Sequence, residues 1–302
     1  MVFISVIIAA HNAGKTLTQT LESLISAIDT AYPEVEVIIL NDSSDDNTQR
    51  IIEANASRLP GLITQEVVFK NIGQVRNYAV LLAKGQYITM LDSDDLLKPG
   101  SLRDASAFLK QHQPDMLLTH LLEIRDMAKI TDDWNGFSPI SLTSPEAIRR
   151  FLIHKDFQAH LIGQFIHRDL YQKAPIPPLI CYEDFAVFPS MLVEARKIFF
   201  QREGHYYYIK RQSSLSSTLD AHKISHLVAC TLSMETVFPE KFQPLINCHW
   251  LDIYTNHKSY LNPLQLDEVK RRVLSLYTLG FFFSKDVRFS YKKRAIKALW
   301  KK

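Results

Sequence analysis

Apolar and polar positions alternate between two rhythms over the first hundred residues. Residues 3–10 (FISVIIAA) form a near-continuous apolar run of strand length, the pattern of a strand covered on both faces, and Asn12-Ala13-Gly14 breaks it. Leu17, Leu21, Leu24, Ile25 and Ile28 then recur at helical spacing. Residues 35–40 (VEVIIL) predict a second buried strand, and an Asp/Asn-rich turn opens a helix over 46–56. A third strand over 67–70, a helix over 75–83, a strand over 87–91 and a helix over 101–111 complete the series. Strands alternating with helices at this interval imply an α/β fold with a mostly parallel sheet and helices on both faces.

Beyond about residue 125 the pattern loosens. A helix is expected near 145–153, a rigid loop at Ala174-Pro175-Ile176-Pro177-Pro178, a helix opened by Tyr182-Glu183-Asp184-Phe185 and running to about Glu194, and a strand within 199–211. Residues 212–217 read as a small-polar loop, and the chain after Leu219 reads as helical and aromatic.

In a parallel sheet the ligand crevice lies beyond the carboxyl ends of the strands. Three polar clusters fall at such ends: Asn12 with its neighbours, Asn41-Asp42-Ser43-Ser44-Asp45, and Asp92-Ser93-Asp94-Asp95. Asp92 and Asp94, alternate residues after a strand, fit a hard divalent cation that takes one or two protein carboxylates and completes its shell with phosphate and water. Read alone, the same cluster also fits a helix N-cap with an acidic first turn.

Charge is uneven. Residues 285–302 hold eight Lys and Arg against Asp286, so the rest of a chain with net charge +3 is mildly acidic. That distribution does not suit a protein that coats nucleic acid, which needs a basic face on its folded domain. Cys181, Cys230 and Cys248 are too few and scattered for a disulfide framework or a cysteine zinc site. With no basic leader before the first strand and no apolar run of spanning length, a cytoplasmic protein is expected.

SVIIAAHN (5–12), EVIILNDSSDDNT (36–48), Asn71-Ile72-Gly73-Gln74-Val75-Arg76-Asn77 and the stretch from Gly85 to Asp95 occur in an order and spacing that resembles the family 2 glycosyltransferases. Tyr182-Glu183-Asp184-Phe185 resembles that family's later Glu-Asp motif, and residues 206–217 (YYYIKRQSSLSS) its tyrosine-rich strand and basic, serine-rich loop. The resemblance covers residues 3–217 and implies a GT-A (Rossmann-like) fold. It implies a catalytic domain over 1–218, with a nucleotide-sugar half to about 125 and an acceptor half after it. A helical region over 219–302 with a basic amphipathic tail would follow.

Carried over by position, the resemblance implies a nucleotide-sugar site of Ala10, Asn12, Asp42, Arg76, Asp92, Ser93 and Arg211. Asp42 would face the base, Arg76 and Arg211 would hold the nucleotide, Asp94 would bind Mn²⁺ or Mg²⁺ on the diphosphate, and Asp92 would support the ribose or the metal. Asn41 and His11 stand where the family more often has Asp and Tyr. Asp184 is the expected general base, with Glu183 orienting the acceptor or assisting. Arg211 also fits a solvated loop residue, and His205 fits either an extra phosphate or metal contact or a buried structural role.

The implied activity is inverting, metal-dependent transfer from a UDP-sugar to a hydroxyl of a saccharide or lipid-linked acceptor in bacterial surface-glycan assembly. GDP-mannose as donor and a non-catalytic nucleotide-sugar-binding subunit are the alternatives. Phe289, Ile296 and Trp300 share one helical face while Arg294, Lys297, Lys301 and Lys302 project elsewhere. That pattern predicts peripheral attachment to an anionic membrane surface, on the inner face of the cytoplasmic membrane. The apolar run over 273–283 reads either as a buried helix or as a reinforcement of this anchor.

Overall fold

The computed structural model describes residues 2–211, 219–275 and 279–300. Its strands are β1 (Ile4–Ala10), β2 (Val35–Asp42), β3 (Ile63–Val67), β4 (Tyr87–Met90), β5 (Leu96–Leu97), β6 (Met116–Ile124), β7 (Ile140–Leu142), β8 (Phe165–His167) and β9 (Ile198–Ile209). The helices among them are α1 (Leu17–Ile28), α2 (Thr48–Asn55), α3 (Ile72–Leu82), α4 (Ser101–His112), α5 (Ser144–Leu152), α6 (Arg168–Lys173) and α7 (Glu183–Glu194). Helices α8 (Ala221–Val237), α9 (Gln243–Asn256), α10 (Pro263–Ser275), α11 (Leu279–Phe283) and α12 (Phe289–Trp300) follow.

The strands form one sheet in the order β3-β2-β1-β4-β8-β6-β9-β5, with β7 on β9. From β3 to β4 every pairing is parallel. Ile4, Val6, Ile7 and Ile8 and residues Val37 to Leu40 are almost wholly inaccessible, which is why those two strands read as unbroken apolar runs. Beyond β4 the sheet is mixed: β8 is antiparallel to β4 and β6, β6 and β9 are parallel, and β5 and β7 run antiparallel to β9.

The third strand lies at Ile63–Val67 rather than over 67–70. It is the edge strand, and its central residues are exposed, so no apolar run marks it. Strands β6 and β8 lie outside the expected series: β6 is an apolar run, but one rich in leucine rather than in strand-favouring residues, and β8 is only three residues long. The expected loop over 212–217 lies outside the described residues.

The C-terminal helices pack through α9, whose Trp250 is fully buried beneath the Arg272 guanidinium, 4.8 Å from the ring centroid. Helix α12 lies against α9 through buried Ala295, with Tyr291 and Arg294 both bonded to Asp252. Among the described residues no helix is long and apolar enough to cross a membrane.

Candidate active site

The loops after β1, β2 and β4 are stitched into one rim. Asn12, in the left-handed region at φ 48°, donates its N–H to Ser44 Oγ at 2.9 Å and accepts from the Asp45 N–H with its side-chain oxygen at 2.9 Å. Thr16 Oγ1 donates to the Ser93 carbonyl at 2.9 Å, fixing the third loop to the first. Ala10 closes β1 beneath this rim and is buried. Asp42, at the end of β2, accepts the N–H groups of Lys70 (3.0 Å) and Asn71 (3.3 Å), which holds the loop that leads into α3.

Three carboxylates follow β4, and their surroundings differ. Asp95 is fully buried and accepts from Tyr206 Oη (2.7 Å) and the Ile209 N–H (2.8 Å), so it anchors the loop to β9. Burial, with the Asp92 charge beside it, pushes its carboxyl up to about 8. Asp92 and Asp94 are partly exposed: Asp92 Oδ1 accepts from Arg76 at 2.7 Å, and Asp94 Oδ2 lies 3.2 Å from Arg211 Nε. Burial and the Asp92 charge raise the Asp94 carboxyl, and Arg211 partly offsets them.

A hard cation fits here by chemistry, since two crowded, solvent-reachable carboxylates offer oxygen ligands and would be relieved of their mutual repulsion. Among the described residues no group of three or more His, Cys, Asp and Glu gathers in metal-holding geometry. The protein's share of a coordination shell at this point would therefore be Asp92 and Asp94.

Arg76 joins this half of the site to the other. Its side chain is almost fully buried, and its two terminal nitrogens go to different carboxylates: Nη2 to Asp92 and Nη1 to Glu183 Oε1 at 2.5 Å. Helix α3 can carry it there because Gly73 has no side chain: a Cβ on it would sit 2.1 Å from the Pro177 carbonyl. The Gly73 N–H bonds the Leu179 carbonyl at 3.1 Å, and Asn71 Nδ2 bonds the Pro178 carbonyl at 3.0 Å. The proline-rich loop before α7 is thereby pinned to the start of α3.

Helix α7 begins with Glu183 and Asp184 after Tyr182, which stands in the left-handed region at φ 62°. The two acids diverge. Glu183 is buried; burial pushes its carboxyl up to about 7 against the pull of Arg76. Asp184 stays partly exposed, accepts the Phe185 N–H at 2.7 Å and has His160 Nδ1 3.6 Å from its Oδ2. Of the pair, Asp184 is the carboxylate that a solvent-borne hydroxyl can approach.

Arg211 reaches the Asp94 carbonyl as well, through Nη2 at 3.0 Å. His205 is fully buried: its ring stacks on Phe165 at 5.4 Å and neither ring nitrogen has a partner. The structure gives it the structural role. His160 had no signal in the sequence, because it lies on an irregular segment 24 residues before its partner.

Residues 5–156, half of the chain, match the family described as glycosyl transferase family 2. The chain is also 30% identical over 224 residues to an uncharacterized glycosyltransferase of Mycoplasma pneumoniae, the MG060 homolog, with 70% of this chain and 71% of that protein covered. The chain belongs to glycosyl transferase family 2. As a family 2 glycosyltransferase it is similar over 119 residues, at 35% identity, to the poly(ribitol-phosphate) beta-N-acetylglucosaminyltransferase TarS of Staphylococcus aureus. That match covers 39% of this chain but spans only 21% of TarS.

Among solved structures, S. aureus TarS 1-349 in complex with UDP superposes with a TM-score of 0.69 at 18% identity, covering 99% of this chain and 92% of that one. The mannosyltransferase PcManGT from Pyrobaculum calidifontis, in complex with GDP-Man and Mn²⁺, gives 0.60 at 14% identity, covering 99% and 87%. These likenesses establish the fold: GT-A, with a helical C-terminal region.

Proposed function

We propose that this family 2 glycosyltransferase moves a sugar from a UDP-sugar to a hydroxyl of a saccharide or lipid-linked acceptor, with inversion, in bacterial surface-glycan assembly. The observation that carries the reading is the Arg76 clamp, in which one buried guanidinium bonds both Asp92, neighbour of Asp94, and Glu183, neighbour of Asp184. Residues 1–218 are the catalytic unit in this reading, with donor chemistry before about 125, acceptor chemistry after it, and an accessory region over 219–302.

Asp42, with Ala10 and Asn12 beside it, lies on the side of the nucleobase, and Ser93 and Arg211 lie on the side of the diphosphate. Asp94 and Asp92 would hold Mn²⁺ or Mg²⁺, which when bound neutralises charge developing on the leaving diphosphate. Arg211 has a planar fork suited to phosphate oxygens. Asp184 takes the proton from the acceptor hydroxyl as the oxygen attacks the anomeric carbon, and the bond to the diphosphate breaks with its electron pair leaving on phosphate. A single base opposite the leaving group yields inversion. Glu183, held by Arg76, orients the acceptor rather than acting on the proton.

UDP as the nucleotide is supported by the likeness to TarS, whose structures hold UDP and UDP-GlcNAc. A GDP-mannose donor is the second reading, favoured by the likeness to PcManGT. A non-catalytic binding subunit is disfavoured by the intact carboxylates. Melting curves with UDP-, GDP- and CMP-sugars in the presence of Mn²⁺ separate the donors, because a ligand at a hundred times its Kd adds about 2.7 kcal/mol.

The basic tail supports a peripheral position on an anionic membrane. Phe283, Phe289 and Ile296 are exposed, 77%, 71% and 46%, among exposed Lys285, Lys293 and Lys297. Asp252 pairs with Arg294, so only part of the basic charge faces outward.

A further inference from the structure

We propose that His160 is a positioning residue for the transfer step, its Nδ1–H holding the Asp184 carboxylate in line for the acceptor proton. This inference rests on the reading of Asp184 as the base. The two side chains approach to 3.6 Å, Nδ1 to Oδ2. The other oxygen, Oδ1, is already fixed by the Phe185 N–H. With Oδ1 held and the imidazole beside Oδ2, a small tightening of this contact sets the carboxylate plane for the acceptor. Hydrogen bonds of this kind are often long without ligand and shorten in the Michaelis complex.

The segment that carries His160 is built to present it. Its flanking side chains, Ala159 and Leu161, are buried, as are Phe157 and Ile162, while His160 itself is 35% exposed. The Gly163 N–H bonds the Met90 carbonyl at 2.9 Å and Ile162 bridges to Met90, so the segment is tied to the end of β4, two residues before Asp92. Arg150 grips Asp156 at 2.7 Å at its other end. Behind His160 the Tyr208 ring lies 6.4 Å away, centroid to centroid. A solvent-facing imidazole that merely filled space would not need anchors on both sides.

The chemistry asks for such a partner. During transfer the acceptor O–H bond breaks, its proton goes to Asp184, the new oxygen–carbon bond forms, and the diphosphate leaves with the old bond's electrons. A carboxylate free to rotate would meet the hydroxyl in line only part of the time, and misplacement by about 1 Å can cost up to about 10²-fold. Glu183 cannot supply the restraint, since its carboxyl is held by Arg76.

The test compares H160A, H160N, H160Q and D184N, reading hydrolysis of whichever of UDP-GlcNAc, UDP-glucose and GDP-mannose the wild-type protein hydrolyses fastest with Mn²⁺. Asparagine keeps a donor close to the place of Nδ1, whereas glutamine moves it toward Nε2. H160A and H160Q are expected to lose about tenfold or more in kcat with donor KM within about twofold, and H160N to recover most of the loss. H160A at wild-type kcat, or H160N as impaired as H160A, overturns the proposal. D184N at wild-type kcat, or no hydrolysis of any of the three donors, overturns the reading beneath it, and the proposal with it. An inactive D184N beside a fully active H160A leaves Asp184 as the base and removes His160 alone.

Discussion

Arg76 Nη1 lies 2.5 Å from Glu183 Oε1, and 107 residues of chain separate the two. The same guanidinium reaches Asp92, so the strand end that would serve the donor and the helix start that would serve the acceptor share one buried cation. Removing one member of a buried charge network leaves its partners uncompensated, at about 3–5 kcal/mol. Arg76→Met is therefore expected to lower the melting temperature sharply. Adding Glu183→Gln to it should recover part of the loss, a coupling that a double-mutant cycle reads directly. Additive effects would show that the contact carries no weight.

Asp94→Asn removes an anionic oxygen ligand while keeping shape. Binding of UDP is expected to lose its dependence on Mn²⁺, read by calorimetry with and without the ion. Unchanged metal dependence would take Asp94 out of the cation site.

Asp42 holds two backbone N–H groups, those of Lys70 and Asn71, and Lys70 sits in the left-handed region at φ 48°. Asp42→Ala should both weaken UDP binding and cost about 1–3 kcal/mol of stability, since the two donors lose their acceptor. A variant with weaker nucleotide binding and an unchanged melting temperature would mean that Asp42 acts on the base alone.

How far the site was legible follows from how local each signal is. Asp92, Asp94, Glu183 and Asp184 stand in short contiguous motifs at the ends of strongly patterned elements, so their places could be read. The clamp on Glu183 could not, because Arg76 meets it only through the close packing of Gly73 on the Pro177–Leu179 backbone. His160 lies only 24 residues from Asp184, but on a segment with no periodicity to mark it. The parallel half of the sheet was legible in its apolar runs, whereas β3 is an exposed edge and β6 and β8 are set by tertiary pairing rather than by their own patterns.

Acid sensitivity should come from two histidines. Burial pushes His205 down to about 3 and His249 down to about 4, so the folded protein keeps both neutral. The unfolded chain takes up protons from about pH 6.5 downward, so their contribution is whole above pH 6.5 and drains as pH falls toward the folded values. For one such histidine the loss reaches about 2 kcal/mol at pH 5. His205→Phe, placed against Phe165 and Phe137, is expected to be at least as stable at pH 7 and to lose less between pH 7 and 5. An equal acid-induced fall in melting temperature would contradict this.

Membrane attachment through α12 is best tested by charge rather than deletion, because Val287 and Ala295 are buried and removing the tail would uncover α9. K285E, K293E and K297E combined should abolish flotation with vesicles containing phosphatidylserine while leaving donor hydrolysis intact. Flotation equal to wild type would remove the tail from the account.

In the proposed reaction, binding and chemistry divide between the Asp94 and Asp184 ends of the site. Measured on one preparation of Asp184→Asn, UDP affinity with Mn²⁺ should stay within about twofold of wild type while donor turnover falls by about 10² or more. Turnover close to wild type, or loss of UDP binding together with turnover, would contradict it.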